Sequence, residues 1–164
     1  MKKLISILLV AMLVVTCLAT VAFAAGSAKL SASSVTAQAG DEVTITFALS
    51  GDEFTSYGMK ITADANLKLT KITKGAASSG SFVGNVKNGV VTGAATYNTK
   101  AGVLFTATFK VADNAKPGKY PVSVNLDFIA DEDGKDLNVT ISGGYVTIVC
   151  EHTWGAWTEV KAPK

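Results

Sequence analysis

The chain has 164 residues, with 15 Lys and Arg against 13 Asp and Glu and a single His, for a formal net charge of +2. All the cations are lysines. The lack of arginine, the side chain best suited to bidentate contacts with phosphates and base edges, speaks against nucleic-acid binding.

The first 24 residues read as a secretory signal peptide. Lys2 and Lys3 form a positive start, Leu4 to Val21 is almost wholly apolar, and Ala22-Phe23-Ala24 is an A-x-A cleavage site. A membrane anchor is the alternative, since the apolar run nearly matches a bilayer. The small-residue site and the polar Gly26-Ser27-Ala28-Lys29 behind it favour cleavage, which leaves no stable membrane span. Val14-Val15-Thr16-Cys17 is a weaker, lipobox-like reading. Cleavage removes two lysines, so 15 − 2 = 13 cations then balance the 13 acids. What remains suits one domain of roughly 125 residues, 25–149, and a tail, 150–164. A domain of that size buries about two-thirds of its unfolded surface and can be stable without disulfides. Cys150, the only cysteine left, has no partner within it, so a partner in another chain or in sequence further on is expected.

Lys29–Ala39 holds a short strand-like piece. After the Ala39-Gly40-Asp41 turn, Val43, Ile45, Phe47 and Leu49 alternate with Thr44, Thr46 and Ala48, the pattern of a half-buried strand. Ser50–Ser56 reads as a loop. Tyr57, Met59 and Ile61 alternate with Gly58, Lys60 and Thr62, and Asp64-Ala65-Asn66 turns the chain into Leu67–Ile72. Lys74–Gly84 is rich in Gly, Ala and Ser, with Phe82-Val83 a short strand or a plug over the sandwich edge. Lys87-Asn88-Gly89 is a hairpin turn leading into Val90–Tyr97.

The strongest pattern is Gly102–Val124. Val103, Phe105, Ala107, Phe109 and Val111 should form one apolar face, with Leu104, Thr106, Thr108 and Lys110 opposite. Beyond Lys116-Pro117-Gly118, Tyr120, Val122 and Val124 repeat the alternation, so the two runs are expected to pair as an antiparallel unit. Asp131–Gly134 is a turn, Leu137, Val139 and Ile141 form a strand, Gly143-Gly144 turns, and Tyr145–Val149 ends the domain. The fold class is therefore all-β, an antiparallel sandwich of about nine strands. The tail, with His152, Trp154 and Trp157, is too short for a core of its own and reads as a linker or the start of a further module.

Ala39–Ile45, Tyr57–Leu69, Gly102–Val111, Ala115–Val122 and Gly144–Ile148 together resemble, in order and spacing, the segments of cohesin domains across about residues 29–149. The resemblance implies a jelly-roll sandwich exported by a Gram-positive anaerobe of the Firmicutes. It also implies docking of dockerin modules from secreted, often polysaccharide-degrading, proteins. Cohesins present an outward Asn and Asp two apart on the strand before a Tyr-Asp turn; aligned on Asp64, those places fall at Ser56 and Gly58. The partner-binding positions implied are Ser56, Gly58, Lys60 and Thr62. The tail's Cys-x-His-x-Trp-Gly-x-Trp resembles the opening of short Cys/His/Trp repeats in secreted surface proteins.

Catalytic constellations are poor. Cys150 and His152 lie in the tail, where they could supply half of a zinc site, or Cys150 could pair downstream. Asp131, Asp133 and Asp136 lack the spacing of a calcium loop and read as a turn. The acids at Asp41-Glu42 and Asp52-Glu53 are solvated turn pairs, not the facing carboxylates of a glycosidase. No enzyme, cofactor or metal is expected. Tyr57, Tyr120 and Tyr145 are in phase with apolar neighbours and should pack inside, whereas Tyr97 and Phe82 are candidates for exposure. The leading reading is a secreted, non-catalytic docking module for a dockerin-like or other secreted protein. The alternatives are a polysaccharide-binding module of the same superfamily and a structural spacer.

Overall fold

The computed structural model describes residues 26–99 and 101–150, without the side chains of 96–98. The expected signal segment and the tail from residue 151 lie outside that range. The strands are β1 (Ser27–Ala32), β2 (Val35–Ala37), β3 (Glu42–Gly51), β4 (Phe54–Ala63), β5 (Leu67–Lys74) and β6 (Phe82–Asn85), then β7 (Val90–Thr99), β8 (Gly102–Val111), β9 (Gly118–Ala130), β10 (Asn138–Ser142) and β11 (Gly144–Ile148). Five of them form one sheet, in the order β10-β1-β3-β8-β5, and six form the other, β2-β11-β9-β4-β7-β6. The all-β sandwich is as expected. The count rises from about nine to eleven because β6 is a true strand and the first strand is split.

The split occurs at Ser33-Ser34, where the chain changes sheets. Ser33 Oγ accepts the Thr46 amide at 2.9 Å in one sheet, and Ser34 Oγ accepts the Tyr145 amide at 3.1 Å in the other. β1 then runs parallel to β10 and β2 parallel to β11, so two parallel pairs sit in an otherwise antiparallel fold.

Successive strands alternate between the sheets at every link but one. The exception is the hairpin of β6 and β7, whose turn lies at the expected Lys87-Asn88-Gly89. Only Gly89 there takes a positive φ, 72°, which suits glycine at the end of a turn. Asn88 instead caps the turn through Oδ1, accepting the Val90 amide at 3.1 Å.

The antiparallel unit expected from Gly102–Val124 does not form. β8 lies between β3 and β5 in one sheet, and β9 between β11 and β4 in the other. Residues 112–117 cross between the sheets over the end of the core, where Ala115 is buried. The apolar faces of the two strands meet across the sandwich rather than side by side. Two facing assignments on β8 are also corrected, and the first is Val103, expected inside, which pairs with the outer-face Ala48 and is only half-buried. Leu104, expected outside, is fully buried. Phe47 pairs with Phe105 and Ala48 with Val103, so Leu104 is the extra residue of a β-bulge, which turns it inward.

Phe47 and Phe105 stack in the core with ring centroids 4.6 Å apart and planes at 19°. Tyr57 is buried as expected. Its hydroxyl lies 2.6 Å from Ser78 Oγ, which donates to the Leu104 carbonyl at 2.7 Å. Burial raises the Tyr57 pKa above its ordinary value, with the Ser78 contact opposing that shift. Gly93 leaves room for the ring, since a Cβ there would come within 2.5 Å of it. Tyr120 is half-buried against the core. Tyr145, expected inside, is 47% exposed, because Gly144, Val146 and Ile148 hold the inward positions of β11. The Tyr97 side chain lies outside the described residues.

The Asp64–Asn66 turn carries a pH dependence. Asp64 Oδ1 accepts the Asn66 amide and the Asn66 Nδ2, both at 2.8 Å. These bonds favour the carboxylate and hold its pKa below the ordinary 3.8. A depressed folded pKa gives stability that is present above the unfolded value and lost as pH falls through the folded one. The urea-midpoint gap between the protein and an Asp64→Ala variant should therefore hold near neutrality and close in acid below 3.8. A gap that does not change with pH would refute this role.

Candidate functional site

The four candidate positions lie on β4, in the middle of the six-stranded sheet. Tyr57, Met59 and Ile61 point into the core at 0–7% exposure, so Ser56, Gly58, Lys60 and Thr62 share the outer face. Residues opposite one another on paired strands share a face, and the register fixes the neighbours. Ser56 lies between Ala94 of β7 and Ala130 of β9, Gly58 between Thr92 and Phe128, and Lys60 between Val90 and Asn125, while Thr62 lies beside Ser123. Ser56 and Thr62 are half-buried and Lys60 is exposed.

Gly58 is buried, although it faces outward, because the Phe128 ring lies on it. A Cβ at Gly58 would come within 2.5 Å of Phe128 Cε1. Phe128 itself is 38% exposed and Val83, which pairs with Thr92, is 63% exposed. One row, Val83–Thr92–Gly58–Phe128, thus crosses four strands and presents apolar surface at both ends with a low saddle between. Lys60 and Asn125 lie on the next row.

Sequence reasoning missed Phe128 and Val83. β9 alternates with Val122, Val124 and Leu126 inward, which would place Phe128 inside. The register instead matches Gly58 with Phe128 and Met59 with Leu126, leaving Asp127 as the extra residue of a bulge. Phe128 turns outward and the buried Ile129 takes the inward place. The consecutive Phe128-Ile129-Ala130 was the available signal that the alternation breaks. The Ser50–Ser56 loop also shrinks to Asp52-Glu53, since β4 begins at Phe54.

The Asp131–Asp136 segment is a turn. Asp131 Oδ1 accepts the Asp133 and Lys135 amides at 3.0 and 2.9 Å, and Lys135 pairs with Asp133 at 3.6 Å. Cys150 is exposed, and His152 lies outside the described residues.

Two facing sheets whose successive strands alternate between them at every link but one define a jelly-roll-like β-sandwich domain. The family follows from the sequence match: the cohesin-domain family model matches residues 28–148, and the chain belongs to the cohesin family. Among solved structures it is similar to the seventh ScaB type I cohesin of Pseudobacteroides cellulosolvens, with 16% identity and a TM-score of 0.68 over 80% of this chain and 98% of that one. A third ScaB cohesin of R. flavefaciens, solved with a group 1 dockerin, gives 17% and 0.67 over 78% and 99%. A non-cellulosomal cohesin of the archaeon Archaeoglobus fulgidus gives 18% and 0.66 over 76% and 92%. At these identities the likeness shows the fold. No curated protein sequence matches the chain.

Proposed function

We propose that this protein is an exported, non-catalytic docking module that holds a dockerin-type module of another secreted protein on the outer face of its six-stranded sheet. The observation that carries the reading is the β4 face, where Ser56, Gly58, Lys60 and Thr62 line up under an exposed aromatic on β9. Membership of the cohesin family and the relative solved with a dockerin support it. Ser56 and Gly58 stand where the family resemblance expects an Asn and an Asp. The partner is therefore held more by apolar contact at Phe128 and less by charge-assisted hydrogen bonds. Polysaccharide is the poorer occupant. Phe128 and Tyr145, the exposed aromatics of this face among the described residues, stand near opposite ends of β9 and make no single stacking row.

The test is surface-immobilised binding of the purified protein to dockerin modules, with soluble and insoluble polysaccharides in parallel. Saturable dockerin binding is expected, and a Thr62→Glu variant should lower it about tenfold or more by burying an unpaired charge in the interface. Polysaccharide binding without dockerin binding would overturn the reading.

A further inference from the structure

The net charge of this domain is unevenly spread over its two sides. From Ala65 to Ala112 the sequence holds Lys68, Lys71, Lys74, Lys87, Lys100 and Lys110 and no acid. That stretch comprises β5, β6, β7 and β8, which lie together: β8 and β5 end one sheet, β7 and β6 end the other. One flank of the sandwich is therefore cationic, and among the described residues the acids lie on the remaining strands and turns. On the rim of this flank, Lys68 stands directly opposite Lys110 in the β5–β8 register, a like-charge pairing that costs stability. The Lys110 ammonium is committed to the Gly40 carbonyl. Lys68 and Lys87 make no ion pair among the described residues. Asp64 is held by Asn66, and Glu42 sits two strands from β5, opposite Lys110.

Between Lys68 and Lys87 the ends of the two sheets part around a cleft of about 440 Å³. Ile61, Leu67, Leu69, Val86 and Phe109 line it, and Val86, on the β6–β7 turn, is 38% exposed. The Gly89 carbonyl accepts the Ile61 amide at 2.9 Å, which ties that turn to β4. The volume is within the range of specific ligand sites, and the lining holds lysines and one asparagine but no acid.

The geometry points to a second docking surface here, for an acidic polypeptide segment that seats one aliphatic side chain in the cleft and sets carboxylates against Lys68 and Lys87. Charge complementarity selects the anionic partner. The aliphatic floor selects a peptide over a sugar polymer, because the one aromatic of the lining, Phe109, is fully buried and offers no ring face for stacking. β5 and β6 are also the free edges of their sheets, so an extended segment can lie along them. This surface is separate from the β4–β9 face and stands whether or not that face binds a dockerin.

The experiment is fluorescence anisotropy of the purified protein with labelled peptides of about a dozen residues, long enough to lie along β5. Alternating Glu-Leu, Glu-Ser and Lys-Leu peptides and dextran sulfate are compared. The Glu-Leu peptide should bind, with affinity falling steeply between about 0.05 and 0.5 M salt. A K68E/K87E variant should weaken it roughly tenfold or more, and K68Q/K87Q by less; both substitutions are exposed, and thermal unfolding checks the fold. The Glu-Ser peptide should bind roughly tenfold more weakly for want of the apolar anchor. No binding of Glu-Leu, equal binding of Lys-Leu, preference for dextran sulfate, or indifference to K68E/K87E would each overturn the proposal. Loss of Glu-Leu binding in Phe128→Ala but not in K68E/K87E would move the peptide to the β4–β9 face and leave the dockerin reading untouched.

Discussion

A Phe105→Ala variant is expected to unfold about 10–20 °C below the unsubstituted protein, the consequence of a loss of about 3–5 kcal/mol. Phe105 is fully buried at the centre of β8, which joins β3 to β5. Truncation removes the transfer energy of the ring and leaves a cavity that the flanking strands, pinned on both sides, cannot collapse. It also removes the stacked partner of Phe47, worth about 0.5–1.5 kcal/mol beyond area. Against a total stability of about 5–15 kcal/mol that is a large share. Thr106→Ala, one residue on and facing outward, should change the midpoint little. Calorimetry of the two variants side by side checks the assignment. A Phe105→Ala midpoint close to that of Thr106→Ala would show that β8 is not the strand the core is built on.

The comparison of β8 with β9 shows what alternation encodes. Phe105, Ala107, Phe109, Val111 and then Val122 and Val124 were legible as inward residues, and all are buried. The pattern reports that a strand has one buried face; it does not report whether the next strand lies beside it or across the core. Both arrangements bury the same residues, and the choice is made by register with strands far away in sequence, β3 and β5 for one, β4 and β11 for the other. The bulges are the second limit. At Leu104 and Asp127 one extra residue shifts the phase, and the local sequence pays no visible penalty for it. The candidate face was read in part for the same reasons. The β4 positions follow from Tyr57, Met59 and Ile61 facing inward. Phe128, set on Gly58 by a bulge and a long-range pairing, does not.

Phe128→Ala is the variant expected to cost the most partner affinity: about 2 kcal/mol or more, a rise in Kd of roughly 30-fold or greater, if the β4–β9 face holds the partner. An aromatic on one of the central strands of the sheet, part exposed and flanked by small residues, has the character of an interface anchor. Its large area is held in place before binding, so little rotamer freedom remains to be lost. The fold should tolerate the change, because the ring lies on the outer side of the sheet and the core beneath it, Tyr57, Met59 and Ile129, is intact. Gly58→Ala gives an independent check. The added Cβ would stand 2.5 Å from the ring, which must swing aside while the aromatic is retained. Affinity should then fall, but by less than in Phe128→Ala, since a displaced ring can still be pushed back at some cost by a tight partner. Titration calorimetry against a dockerin module orders the three proteins. Equal affinities for all three would remove the β4–β9 face as the docking surface, whereas a loss in Gly58→Ala alone would place the contact on the β4 backbone rather than on the ring.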